Sequence, residues 1–301
     1  MRSTRNKTLD LPLDACRAEL KKCLFPEAAL SEAETADRVL CGDFFSVALL
    51  LPEKSYGLAI VDPPYNLRKD YGGEVFRKRD RAAYTDFTRR WLREVRRLLR
   101  DDGSLYVCCD WKSGVLIAPL LEEFFTVRSR ITWAREKGRG AAKNWKNSME
   151  DIWFCTVGDD YYFDLDAVKL RRKVKAPYMK DGEPKDWEKT PEGNFRSTCP
   201  SNFWDDVTVP FWSMAENTAH PTQKPEKLMA KLILASAAPG ERILDPFAGA
   251  GTVAVTAKKL GRHFTAVEKN EQYCAWTQIR LSRAETDRRI QGYEDGVFYK
   301  K

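Results

Sequence analysis

The apolar positions of this chain fall into short continuous runs that alternate with helical stripes. Tyr56-Gly57-Leu58-Ala59-Ile60-Val61 is such a run and predicts a buried strand. Arg38 to Asp43, Ser104 to Cys109, Val127 to Trp133, a stretch from Ser148 to Trp153, Arg242 to Asp245 and His263 to Val267 predict further strands. Helical spacing appears between them at Phe44 to Leu51, Tyr84 to Arg100, Ser113 to Phe124, Glu226 to Ala237 and Asn270 to Ile290. The second of these is strongly amphipathic, with Phe87, Trp91, Leu92, Val95, Leu98 and Leu99 inward and a row of arginines on the solvated side. Leu13 to Leu24 predicts a short covering helix. Strands and helices in this alternation imply an α/β domain with a largely parallel central sheet flanked by helices.

The pattern fades in two places. Residues 66–83 are polar, basic and glycine-containing, and predict a long loop of the kind that is usually functional. Residues 165–215 are rich in charge, Pro and Gly, and predict an irregular insertion holding Tyr178, Trp187, Phe195 and Trp204. The chain therefore divides into a lead-in (1–35), a first half-domain (36–164), the insertion (165–215), a second half-domain (216–290) and a loosely held tail (291–301).

Composition adds a partner class. The net charge of +7 fits a polyanion without proving one, so clustering matters more. Arg68, Lys69, Arg77, Lys78, Arg79 and Arg81 form one cluster, and Arg135, Lys137, Arg139, Lys143 and Lys146 a second. Lys169, Arg171, Arg172, Lys173 and Lys175 form a third, interleaved with aromatics as in nucleic-acid contacts. The eight cysteines are irregularly spaced and only two histidines accompany them, so no metal is expected and free thiols in a reducing cytoplasm are. No apolar run approaches the length of a membrane span, and Met1 to Arg5 lacks the apolar stretch of a signal peptide.

Candidate chemistry lies at two strand ends. Tyr56–Val61 runs into Asp62-Pro63-Pro64-Tyr65-Asn66. Pro63 restricts Asp62, and neither proline has an N–H to donate. A stiff pair of acceptors, the Asp62 carboxylate and a proline carbonyl, under a ring that can stack suits a nucleobase with an amino group. The second strand end is Arg242-Ile243-Leu244-Asp245-Pro246-Phe247-Ala248-Gly249-Ala250-Gly251-Thr252, a strand followed by a Gly-x-Gly turn and a helix. Glu268 follows 19 residues after Gly249, the place of a ribose-hydroxyl ligand in a Rossmann-like nucleotide site. The third glycine of the dinucleotide pattern is missing, so a nucleoside without phosphates fits better.

With His220-Pro221-Thr222-Gln223-Lys224-Pro225, these stretches carry a resemblance. The chain resembles the S-adenosylmethionine-dependent DNA amino-methyltransferases of the permuted beta class, with the catalytic tetrapeptide before the cofactor loop, over roughly residues 36–160 and 200–290. Ala250 departs from the small polar residue of many relatives. The resemblance implies Asp62, Pro63, Pro64 and Tyr65 as the catalytic corner. It implies S-adenosylmethionine as cofactor, held by Asp43, Asp62, Thr222, Gln223, Lys224, Asp245, Phe247, Ala248, Gly249, Gly251, Thr252 and Glu268. It implies DNA as partner, contacted by Arg68, Lys69, Arg77, Lys78, Arg139, Lys143, Arg171 and Arg172, with 165–215 as the target-recognition region. A homodimer and a cognate restriction endonuclease are compatible with it, as is an intracellular place in contact with DNA. Asp at the head of the tetrapeptide leans toward N6 of adenine, and Ser there toward N4 of cytosine. An RNA substrate and a catalytically silent DNA-binding module stand as alternatives, the latter opposed by the intact Asp62 and glycine turn.

Overall fold

The computed structural model describes residues 5–71, 73–135, 142–174 and 178–299. Its centre is an eight-stranded sheet. Along the chain the strands are β1 (Arg38–Cys41), β2 (Tyr56–Val61), β3 (Leu99–Cys109), β4 (Thr126–Ala134), β5 (Met149–Thr156), β6 (Phe203–Trp204), β7 (Arg242–Asp245) and β8 (His263–Glu268). They lie in the order β1-β8-β7-β2-β3-β5-β4-β6. Every neighbouring pair is parallel except the two made by β5. The largely parallel sheet expected from the alternation is therefore present.

The continuous apolar runs follow from burial on both faces. All six residues of β2 are buried. Leu58 and Ile60 pack on one side with Leu228, Ile233 and Ala254, while Ala59 and Val61 pack on the other with Trp91, Leu92 and Val95. The helices are α1 (Leu13–Leu20), α2 (Glu32–Thr35), α3 (Phe44–Ala48), α4 (Arg81–Leu98), α5 (Trp111–Leu121), α6 (Glu226–Ser236), α7 (Thr252–Lys259) and α8 (Glu271–Thr286). Helix α1 covers α8 through Cys16, Tyr273 and Trp276, as a covering helix should. Among the described residues, no helix is long and apolar enough to cross a membrane.

Three expectations are corrected. Helix α4 begins at Arg81, three residues before its apolar stripe, because Asp80 caps it by accepting from the Ala83 N–H at 2.8 Å. The loop 66–83 is accordingly shorter and carries a hairpin, Lys69–Tyr71 against Glu74–Phe76. Residues 165–215 are not an irregular insertion. Glu188–Thr190, Gly193–Thr198 and Leu170–Lys173 form three strands of a second sheet, while Phe203–Trp204 joins the edge of the central one.

The tail is not loosely held either. Tyr293–Glu294 and Val297–Tyr299 complete the second sheet, with Val297–Tyr299 parallel to Leu170–Lys173. Phe298 is fully buried beside Val168, Leu170 and Ile290. Helix α8 stops at Thr286, so that Ile290 serves this small core instead of extending the helix. Phe298→Ala should therefore destabilise the protein by about 3–5 kcal/mol, as cavity creation does in a packed core. A thermal or denaturant melt checks this, and a loose tail would leave the midpoint unchanged.

Candidate active site

Parallel strands place their carboxyl ends along one edge, where ligands of such sheets bind. Here β1, β8, β7 and β2 bring Asp43, Glu268, Asp245 and Asp62 to that edge. One cavity of about 620 Å³ runs along it. Every residue expected at the cofactor lines this cavity except Gly251, which shapes the turn behind it.

The turn needs its glycines. Gly251 has φ +73°, and a Cβ there would lie 2.2 Å from Thr277 Cγ2 on α8. Gly249 has φ +52°, and a Cβ there would lie 2.9 Å from His220 Nε2. The backbone thus packs where a side chain cannot. Glu268 braces it, accepting from the Gly249 and Asn270 N–H groups, each at 2.8 Å. Burial pushes the Glu268 carboxyl up to about 7 against those bonds. Burial also raises Asp245, which accepts from the Phe247 N–H at 3.3 Å. From α8, Arg280 donates to the Ala250 carbonyl at 2.5 Å and to Thr252 Oγ1 at 3.2 Å.

His220 is held neutral, its pKa pushed down to about 3 by burial and by Lys224 and Arg280. Gln223 spends its side chain on its own turn: Oε1 accepts from the Thr218 N–H at 2.8 Å and Nε2 donates to the Glu216 carbonyl at 2.7 Å. Asp43 caps α3, accepting from the Phe45 N–H at 3.0 Å, and also lines the cavity.

The proline corner is fixed from several sides. The Pro64 carbonyl accepts from the Tyr84 hydroxyl at 3.2 Å. Asn66 Oδ1 accepts from the Arg79 N–H at 2.8 Å. Asp62 Oδ2 accepts from Lys224 Nζ at 2.7 Å, and the Tyr65 hydroxyl lies 3.0 Å from Asp62 Oδ1. The same hydroxyl lies 3.1 Å from Glu150 Oε2, and Lys224 Nζ lies 3.3 Å from it. Arg135 pairs with Glu150 from the end of β4.

Burial, with Glu150, raises the Asp62 carboxyl further than Lys224 and Tyr65 lower it. Burial would raise Glu150 as well, but Lys224 and Arg135 hold it below its ordinary range. Burial works against the Lys224 ammonium, yet Asp62 and Glu150 raise its pKa. Glu150 was not singled out in the sequence, and Arg135 stood there only as one member of a basic cluster. The available signal was an acid, Glu150, inside a run that otherwise reads as a buried strand.

A second cavity of about 190 Å³ shares Tyr65, Thr222, Gln223 and Lys224 with the first and adds Trp133, Arg135, Asn147 and Glu150. Of the basic residues expected at DNA, Arg77 and Lys78 line the large cavity and Lys69 the small one. Arg68 and Lys143 are exposed and line neither. Arg171 and Arg172 lie half-buried on the second sheet, with the Arg171 guanidinium 4.8 Å from the Phe195 ring centroid. Arg139, with Lys137, Gly138 and Gly140, lies outside the described residues.

Carboxyl groups such as Asp43, Asp62, Asp245 and Glu268 and an apolar wall such as Phe247 suit the hydroxyls and ring of a nucleoside. The family model described as DNA methylase matches residues 56–279. This chain belongs to that family.

The methylase is an amino-methyltransferase of the beta class, acting at adenine N6 or cytosine N4 of DNA, and its cofactor is S-adenosylmethionine. It is 32% identical over 257 residues to DNA adenine methyltransferase YhdJ of Escherichia coli (strain K12), with 84% of each chain covered. It is 31% identical over 247 residues to type II methyltransferase M.HpaI of Haemophilus parainfluenzae, covering 81% of this chain and 74% of the relative.

Solved structures share the fold. The cytosine-N4-specific PvuII DNA methyltransferase matches with TM-score 0.59 at 16% identity, over 87% of this chain and 93% of its own. TTHA0409 from Thermus thermophilus, a putative DNA modification methylase complexed with S-adenosylmethionine, matches with TM-score 0.56 at 21% identity, over 87% and 97%.

Gly251→Ala in the methylase should cost about 1–3 kcal/mol of stability through overpacking against Thr277. It should also shrink the gain in melting temperature on adding S-adenosylmethionine. Differential scanning calorimetry with and without the cofactor measures both.

Proposed function

We propose that this methylase modifies N6 of adenine in DNA, on a base extruded from the duplex. The observation that carries the reading is Asp62. A carboxylate, not a hydroxyl, heads the Pro-Pro-Tyr corner on the wall of the large cavity, and Tyr65 of the same corner lines both cavities. The relative named a DNA adenine methyltransferase, matched over 84% of each chain, supports the same base.

When bound, S-adenosylmethionine supplies an electrophilic methyl group on a sulfonium. The large cavity is its place, with Glu268 and Asp43 as acceptors for hydroxyls, Asp245 beside them, and Phe247 as an apolar wall. The small cavity is the place of the target base, between Tyr65 and Trp133. An exocyclic amine is a poor nucleophile because its lone pair is delocalised into the ring. Asp62 and the Pro63 carbonyl accept hydrogen bonds from the amine and draw the lone pair back onto nitrogen. Holding that nitrogen in line with the methyl group supplies much of the remaining acceleration. Stacking on Tyr65 offsets an unstacking cost of a few kcal/mol.

The second sheet, with its basic and aromatic residues, is the target-recognition region, and Arg68, Lys69, Lys143, Arg171 and Arg172 serve the backbone of the duplex. The type II names of M.HpaI and M.BglII support a cognate endonuclease as cellular partner.

DNA from cells expressing the chain, digested to nucleosides and read by mass spectrometry, should contain N6-methyldeoxyadenosine. N4-methyldeoxycytidine in its place would replace adenine by cytosine in this reading. Asp62→Ala should lower the single-turnover rate by about 10²- to 10³-fold, the scale of a lost transition-state hydrogen-bonding group, with cofactor affinity within a few-fold. Neutralising Arg68 and Lys69 together should weaken binding to all DNA sequences alike. Their loss should reduce the slope of log affinity against log salt by about two in a fluorescence-anisotropy titration.

A further inference from the structure

Lys224 lines the large cavity, and its ammonium pairs with carboxylates at the proline corner. Its side chain is 6% exposed, and Nζ lies 2.7 Å from Asp62 Oδ2 and 3.3 Å from Glu150 Oε2. It also lies 5.2 Å from the centroid of the Tyr65 ring. Glu150 is as buried, at 7%, and takes a second cation from Arg135. The cluster therefore contains two carboxylates and two permanent cations. It is neutral when Asp62 is ionised and carries a surplus positive charge when Asp62 is protonated. Neutrality is favoured because Lys224 and Glu150 are buried, where an unbalanced charge is poorly screened, while Asp62 and Arg135 stay partly exposed.

We propose that Lys224 and Glu150 are a pair of positioning residues with opposed effects on Asp62: Lys224 keeps the carboxylate ionised and oriented, and Glu150 limits how far Lys224 weakens it as an acceptor. This rests on the reading of Asp62 as the group that accepts from the target amine. The sign of each effect follows from Coulomb's law. Removing the Lys224 charge leaves Asp62 facing Glu150 alone, so its carboxyl titrates at a higher pH. Removing the Glu150 charge leaves Lys224 unopposed, so the carboxyl titrates at a lower pH.

The other groups facing Asp62 do not reverse this. Tyr65 is neutral, its hydroxyl raised well above its ordinary value by burial and the two carboxylates. Cys108 of β3 is raised by burial and stays a neutral thiol. Asp245 of β7 is itself raised by burial, and whatever charge it carries is common to all the variants.

The test is a ¹³C NMR titration of the aspartate carboxyl carbons in wild type, Lys224→Met and Glu150→Gln, with the Asp62 signal assigned by its loss in Asp62→Asn. It requires no turnover, so it stands apart from the functional reading. The Asp62 midpoint should rise in Lys224→Met and fall in Glu150→Gln, each by about one pH unit, a tenfold change in the ionisation ratio. The double variant, which loses one charge of each sign, should return toward wild type and keeps the test open if Lys224→Met does not fold.

The acid limb of the single-turnover rate should move in the same directions, with KM for S-adenosylmethionine within about threefold. Midpoints that stay fixed, or move together in one direction, overturn the proposal. So does a Lys224→Met enzyme whose defect lies in cofactor affinity alone. If the midpoints move as stated and the acid limb does not, the assignment of Asp62 to the target amine is what fails.

Discussion

A buried ammonium joins three segments of this chain that lie far apart in sequence. Lys224 stands just before α6, Asp62 just after β2 and Glu150 within β5. Such an interaction adds little net stability when intact, because removing three charges from water offsets their attraction. Deleting Lys224 is costly, on the order of 3–5 kcal/mol, because Asp62 is then left beside Glu150 with no cation of its own. The contact therefore acts more as a condition of assembly than as glue. The proline corner, the Glu150 strand and the turn before α6 must arrive together.

The sheet makes that meeting possible. The first strand in the chain, β1, pairs beyond β8, from Arg38 opposite Thr265 to Cys41 opposite Glu268. A chain that starts at this edge and returns to it near its end brings Asp43 and Glu268 side by side without a long crossing. The glycine turn then sits between β7 and α7, braced from α8 by Arg280 and from β8 by Glu268. Rigidity of the cofactor loop thus comes from buried polar contacts that need the whole second half-domain in place.

Much of this was legible in the residues. The strand Tyr56–Val61 and the strand ending in Glu268 stand where their apolar runs begin and end, because burial on both faces leaves no alternative pattern. The residues expected at the cofactor come from strand ends and a glycine turn, which leave local marks, and all of them except Gly251 line one cavity. Glu150 was not legible, because an acid within an apolar strand marks a buried charge without showing which distant cation meets it. The second sheet was missed for a related reason. Its strands are short and charged, and Leu170–Lys173 finds its partner Val297–Tyr299 more than a hundred residues away. Local periodicity carries no information about such pairing. Asp80, a cap outside the apolar stripe, shows the same limit at the scale of one turn.

The discontinuity of that second sheet bears on how such enzymes diverge. Three of its five strands come from the internal segment and two from the chain's end. A recombination that transplants only the internal segment would graft foreign strands onto a resident edge, where Phe298 must still fit the incoming counterparts of Val168 and Leu170. Exchange of this module between lineages is thus restricted to donors whose segment already matches the recipient's last strand, or to paired events at both sites. Drift in the strand Val297–Tyr299 is coupled in the same way to drift at Val168 and Leu170.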